Sequence, residues 1–221
     1  MIDWAWLFDH LDALAFRTVQ HLYLAGIALA IGFAISFGLA IWSVRRRVVY
    51  APIVAASGIL YTIPSLALFA ALVSITGISL VTAEVPLIIY TLVVYVRNIV
   101  AGFDSVPQEV LEAANGMGYT SGERLRRVEL PLAVPLIVAG VRVATVATIG
   151  LVTITGTLGD RFGGLGFFIF EGSQRDFPTE MYAGAVLSIL LAISADQLLV
   201  RFQGRLTPWT GPRLPAAQEP G

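Results

Sequence analysis

Long runs without a formal charge organise this chain. No Asp, Glu, Lys or Arg occurs from 18 to 44, a stretch of 27 residues, and none from 48 to 83. About 20 apolar residues suffice to cross a bilayer as a helix. The first run therefore predicts a crossing near 18–43. The second predicts one near 50–76, broken by Pro64 and ended around Gly77. Further apolar runs predict crossings near 84–103, 133–158 and 181–202. The longest polar stretch, 104–130, separates the third from the fourth, and a glycine-rich, charged connection fills 159–180. Only helices or closed barrels satisfy their backbone in lipid, and these runs far exceed a barrel strand of about 9–11 residues. The fold class is therefore an all-α integral membrane protein of about five transmembrane helices.

Three segments follow from this pattern. Residues 1–16 are an outer lead-in, 17–203 the membrane domain, and 204–221 a disordered tail rich in proline (Pro208, Pro212, Pro215, Pro220). In the lead-in, Trp6, Leu7, Leu11 and Leu14 recur at helical spacing among Asp3, Asp9 and Asp12. That pattern reads equally well as an amphipathic helix on the outer interface or as a short soluble lead-in. Its acidic flank and the length of the first run disfavour a cleaved signal.

Composition agrees: 57% of the 221 residues are hydrophobic and 13% charged, against about 25% charge in a typical soluble domain. Cysteine is absent, which removes disulfides and thiolate chemistry. All 14 basic residues are arginine, so no P-loop lysine exists and the chain has no ATPase site of its own. No basic run suggests nucleic acid, and no cluster suggests a metal. Arginine placement orients the helices: Arg45, Arg46, Arg47, Arg97, Arg124, Arg126, Arg127, Arg201, Arg205 and Arg213 fall on one side, and Arg17, Arg161 and Arg175 on the other. The positive-inside rule makes the first side cytoplasmic. The N-terminus is then outside, and the loop 104–130 and the C-terminus inside.

That loop carries helix punctuation. Ser105, Pro107 and Gln108 predict a capping box opening a helix over 106–115, with Gly116 at its left-handed end. Thr120 and Glu123 predict a second box and a short helix to about Val128. Val106, Val110, Ala113, Ala114 and Met117 form one stripe of the first helix, a segment too short to be stable unless docked.

The loop reads Glu112-Ala113-Ala114, three residues, Gly118, nine residues, Val128-Glu129-Leu130-Pro131. This resembles the EAA motif of ABC-importer permeases, with Val in place of Ile. The resemblance implies a type I importer fold and a coupling role for Glu112, Ala113, Ala114, Gly118, Leu130 and Pro131, the loop inserting into a cleft of a separate ATP-binding subunit. Thr62-Ile63-Pro64-Ser65-Leu66-Ala67-Leu68, Arg97-Asn98, Val128-Glu129-Leu130-Pro131-Leu132-Ala133 and Ala139-Gly140-Val141-Arg142 are similar to the osmoprotectant permeases, which serve glycine betaine, choline, carnitine or proline betaine. The methionine permeases share the fold and the Gly-Gly-Leu-Gly, and are the alternative; the second-span motif favours the osmoprotectant branch. One departure is the long gap in Gly159-Asp160-Arg161-Phe162-Gly163-Gly164-Leu165-Gly166, where that family has a compact Gly-x-Gly-Gly-Leu-Gly.

The resemblance further implies a plasma (inner) membrane location in a prokaryote, a second permease subunit (same or different), an extracytoplasmic substrate-binding protein and contact with membrane lipid. ATP and Mg would sit on the partner ATPase, with no cofactor on this chain. Thr62, Pro64 and Ser65 are candidates for the translocation path, Pro64 freeing the carbonyl of Leu60. Gly163, Gly164 and Gly166 are candidates for a gate between permeases, or a plain outer turn. Arg142 and Asp196 are charges within spans and are expected to pair. His21 reads as interfacial and Glu84 as the outer end of a helix. Phe167, Phe168 and Phe170 read as interfacial packing. A stand-alone secondary transporter or a membrane enzyme would call for more intramembrane carboxylates or clustered His, Asp and Glu.

Overall fold

The computed structural model describes residues 2–207, and every statement below concerns them. Ten α-helices follow in order: α1 (Trp4–Asp9), α2 (Leu11–Arg45), α3 (Tyr50–Thr62), α4 (Ser65–Thr76), α5 (Leu80–Asp104), α6 (Gln108–Gly116), α7 (Ser121–Arg124), α8 (Leu130–Val152), α9 (Gly166–Gln174) and α10 (Pro178–Leu206). A π-helical turn, Leu125–Glu129, joins α7 to α8, and a 3₁₀ segment, Thr153–Leu158, extends α8. Four helical segments are long and apolar enough to cross a membrane, and the pair α3 and α4, bent by 87°, makes a fifth if counted as one span.

The ends of that pair support the fifth crossing. Before α3, Arg47 binds Asp104 at the end of α5, with one bond of 3.0 Å. After α4, Thr76 meets Thr82 in the first turn of α5 at 2.6 Å. The bent pair thus runs between opposite ends of α5. The arginine-rich ends of α2, α5 and α10 and the start of α8 lie on one side. Predicted crossings and observed helices agree in number and place; the helices are longer. Helix α2, at 35 residues, extends about 52 Å and overshoots the roughly 30 Å hydrocarbon layer.

Helix α5 is the axis. Its Ala83 and Leu87 join Leu24, Ala28, Phe69, Ile149 and Val152 in one core. Its Tyr95, Val96, Ile99 and Phe103 join Ala40, Ala133, Ile137 and Ala144 in the other. Hydrophobicity cannot drive helix pairing in lipid, so close packing of small residues takes its place. Gly32 lies against Thr91, Gly140 against Asn98, and Gly102 against Ala133, whose carbonyl oxygen would stand 2.9 Å from an added Cβ.

The lead-in docks on its own chain. Asp3 caps α1 through the Trp6 amide at 3.1 Å, and the Asp3 amide donates to Thr179 Oγ1 at 2.9 Å. The Trp6 ring packs edge-on against Phe168 and Phe177, with centroids 6.0 and 5.5 Å away. The long helix begins already at Leu11, so the lead-in helix is only Trp4–Asp9. At the other terminus α10 continues through Gly204 to Leu206, and the rest of the expected tail, 208–221, lies outside the described residues.

Two polar residues of the spans face the interior of the bundle. His21 is fully buried within the protein, its Nε2 donating to the Ile149 carbonyl at 2.9 Å and its Nδ1 accepting from the Leu165 amide at 3.2 Å. Glu84 lies near the outer start of α5, which begins at Leu80, with both carboxyl oxygens buried and unpartnered.

Gly102→Val should drive α5 away from α8. The expected loss is about 1–3 kcal/mol, typical of overpacking, read as a lower melting temperature of the detergent-solubilised protein. Gly26→Ala, which meets nothing within 4 Å, should leave that temperature unchanged.

Candidate functional site

Two features carry functional candidates: the loop from α5 to α8, and the break between α3 and α4. In the loop, α6 starts at Gln108 after Pro107. The Ser105 box is not formed. Its hydroxyl instead donates back to the Gly102 carbonyl at 2.7 Å, and α6 has no side-chain cap. The left-handed residue is Gly118, at φ +80°, and Gly116 is the last helical residue. The Tyr119 amide reaches Ala114 O at 3.2 Å and the Gly118 amide reaches Asn115 O at 3.0 Å. These two bonds form a Schellman close, which requires a positive φ at Gly118.

The second box is present as expected. Thr120 caps the Glu123 amide at 3.3 Å, and Glu123 accepts from the Thr120 amide at 3.0 Å. A π turn follows, in which the Leu130 amide bonds to the Leu125 carbonyl. It lies just ahead of Pro131, which has no N–H to offer the preceding turn. Arg124 ties this assembly together. Its Nη1 donates to Asn115 Oδ1 at 2.8 Å, and its Nε donates to Glu129 Oε1 at 2.7 Å. Glu129 is buried. One guanidinium therefore links the end of α6 to the foot of α8.

The expected coupling residues divide by exposure. Ala114 is buried against its own chain, while Glu112, Ala113 and Gly118 are exposed and Met117 is 70% exposed. Glu112 receives only a bond from Gln108, at 3.3 Å, among the described residues. Leu130 and Pro131 sit at the start of α8, half-buried. Sequence reasoning did not single out Arg124, Asn115 and Glu129 as a group; the capping box and the acidic residue inside Val128-Glu129-Leu130-Pro131 were the available signals.

At the break, Ile63 and Pro64 are extended, with ψ of 125° and 128°. The Leu60 carbonyl is not free, since it accepts the Ile63 amide at 3.3 Å. The Ile63 carbonyl accepts the hydroxyl of Tyr90 from α5. Thr62 Oγ1 donates to Ile59 O at 2.7 Å. Helix α4 begins after Pro64 with no side-chain cap, so its first amides have no such partner. Beside the break lies a groove of about 660 Å³ lined by Gly58, Tyr61, Thr62, Arg97, Asn98 and Val143, among others.

The remaining candidates lie elsewhere. Gly163, Gly164 and Gly166 are buried, and an added Cβ would stand 2.7 Å from Gly159 O at Gly163 and collide with the Thr153 backbone at Gly166. Gly164 has φ +51° and packs on His21. The segment is clamped to α2: Arg17 binds Asp160, Gln20 Nε2 donates to Arg161 O at 2.7 Å, and the Gly164 amide donates to Gln20 Oε1 at 2.8 Å. Of the two charges in the long gap, Asp160 is thereby paired within the chain. Arg142 pairs with Asp196 through bonds of 2.8 and 3.1 Å. Phe168 is buried on Trp6, Phe167 lies under Arg17 at 4.0 Å, and Phe170 is 42% exposed. No group of three His, Asp or Glu residues able to hold a metal occurs among the described residues.

Comparison with known proteins adds the following. The family described as binding-protein-dependent transport system inner membrane component matches residues 26–208. The osmoprotectant import permease protein OsmW of Salmonella typhimurium is 39% identical over 210 residues, 92% of this chain and 96% of that one. The glycine betaine/carnitine/choline transport system permease protein OpuCB of Bacillus subtilis is 34% identical over 195 residues, 88% and 89% of the two chains. Among solved structures, an inward-facing conformation of the MetNI methionine ABC transporter matches with a TM-score of 0.78 and 22% identity, covering 90% of this chain and 98% of that one. It confirms the fold.

Removing the Arg124 link should free α6 without unfolding the bundle. In Arg124→Ala, amide hydrogen exchange across 108–116 is expected to rise at least about tenfold, the scale of one lost charge-assisted bond. Exchange in α5 should stay as in the wild type.

Proposed function

The chain belongs to the family of binding-protein-dependent transport system inner membrane components, and from that premise we propose that it is the membrane-spanning subunit of an ATP-driven importer of osmoprotectants such as glycine betaine, choline or carnitine. The solute class rests on the named activities of its relatives. The coupling reading rests on one observation: an exposed helix, α6, closed by Gly118 and joined through Arg124 to the foot of α8.

In this reading the arginine-rich side is cytoplasmic. A partner subunit binds ATP and Mg and grips Glu112, Ala113 and the exposed Met117. Its closure pushes α6, and Arg124 passes the displacement to Glu129, Leu130 and Pro131. The push shifts the population between inward- and outward-facing arrangements, as far as the partner binds the two differently. Two permeases, the same or different, enclose the path, and a substrate-binding protein delivers solute to the opposite side.

The path runs past Thr62, Pro64 and Ser65. An extended peptide and an uncapped helix start are tolerated at membrane depth only inside protein or along water. The groove at the end of α3, lined by Tyr61 and Thr62, supports this reading. Gly163, Gly164 and Gly166 serve as a rigid outer support for this path, held to α2, rather than as moving gate parts.

Proteoliposomes containing the wild-type assembly should take up labelled glycine betaine, choline or carnitine only with ATP, the ATPase and the receptor present. Glu112→Arg and Gly118→Val should insert normally and reduce uptake to background. Coupled uptake at the wild-type rate in both variants, or uptake of methionine alone, would overturn the reading.

A further inference from the structure

We propose that the groove beside the α3–α4 break is a binding site for zwitterionic solute in transit, with Arg97 holding a carboxylate and the Tyr61 ring facing a quaternary ammonium. This inference deepens the transport reading above and rests on it.

The argument begins with a charge that lacks a counter-charge. Arg97 lies seven residues before the end of α5, so about 10 Å inside its arginine-rich end. A guanidinium at that depth is unfavourable unless paired or hydrated. Two other arginines inside the long helices follow the rule. Arg17 binds Asp160 and Arg142 binds Asp196. Arg97 is exposed, and among the described residues it has neither an ion pair nor a hydrogen bond. The carboxylate nearest along its own helix, Asp104, is engaged by Arg47.

What Arg97 does border is the groove, together with Tyr61, Thr62 and Asn98. Tyr61 is 49% exposed as a residue, and its ring rests edge-on against Tyr90, with centroids 5.3 Å apart and planes at 67°. Tyr90 in turn is fixed by its bond to the Ile63 carbonyl. The groove is therefore lined by a held aromatic side chain and a planar cation, in one space of about 660 Å³, within the usual range of small-molecule sites. A guanidinium suits a carboxylate by paired, charge-assisted bonds. A tyrosine face suits a quaternary ammonium by cation–π attraction. The combination is complementary to a betaine, and its open side suits passage rather than retention.

Choline separates this site from other uses of Arg97, because it carries the ammonium without the carboxylate. The assembled transporter, with receptor and ATPase, is reconstituted with wild type, Arg97→Gln or Arg97→Lys, and each solute is normalised to its own wild-type rate. Glycine betaine and carnitine uptake should fall at least about tenfold in Arg97→Gln, the effect of one charge-assisted contact. Choline should change less than about twofold on the same scale, and Arg97→Lys should recover part of the betaine rate. Betaine uptake within about twofold of wild type in Arg97→Gln would overturn the site. An equal fall for betaine and choline would also overturn it, assigning Arg97 to lipid phosphate or to packing between permeases. If the wild-type assembly moves no quaternary ammonium at all, the parent reading fails and this one with it.

Discussion

Inside a bilayer no solvent meets a stray amide, carbonyl or charge, and each unmet backbone group costs several kcal/mol. That constraint shapes the whole chain. Several polar groups that enter the bundle become stitches between helices distant in sequence. His21 joins α2 to Ile149 and to Leu165, Arg142 joins α8 to α10, and Tyr90 joins α5 to the break at Ile63. Apolar surface cannot perform this joining, since lipid satisfies it equally well. The specific fold therefore rests on a few polar contacts and on glycines that let backbones approach, such as Gly32 at Thr91 and Gly102 at Ala133.

The loop from α5 to α8 is held together by local contacts. A nine-residue helix such as α6 is too short to persist alone. Three devices fix it: Pro107 sets its entry, the Schellman close at Gly118 ends it, and Arg124 fastens its last turn to α8. The π turn Leu125–Glu129 then stands between this fastened piece and the membrane helix. A π turn is looser than α-helix, and here the Arg124 bond to Glu129 spans it. On the proposed reading, motion entering at α6 reaches α8 through an ion pair that spans this turn.

The crossings were legible in the sequence because charge-free runs of that length have no other stable use. The Thr120 box was legible because its two partners are only three residues apart. The exact close of α6 was not: Gly116 and Gly118 both permit a left-handed turn, and only the bonds from Tyr119 and Gly118 choose between them. Ser105 misled because its hydroxyl had two acceptable uses, a cap or the Gly102 carbonyl. The burial of His21 and Glu84 was not legible because an apolar helix has little amphipathic pattern to tell its inner face from its outer one. The contact of Arg142 with Asp196 was foreseeable from cost alone, although 54 residues separate them.

The break between α3 and α4 shows how far a single proline can reach. Proline alone predicts a kink and one lost bond. It also bars the preceding residue from helical geometry, so Ile63 turns extended and the bend reaches 87°. Only Ser57 and Phe69 of the two helices are fully buried. A segment so little buried, with non-helical backbone at the level of Tyr90, cannot lie against lipid on all its free sides. Something polar or proteinaceous must cover it. On the proposed reading, both covers exist: a second permease on one flank and the water of the translocation path on the other. The need to satisfy a broken helix and the need for a passage through the membrane then become one requirement, met at one place in the fold.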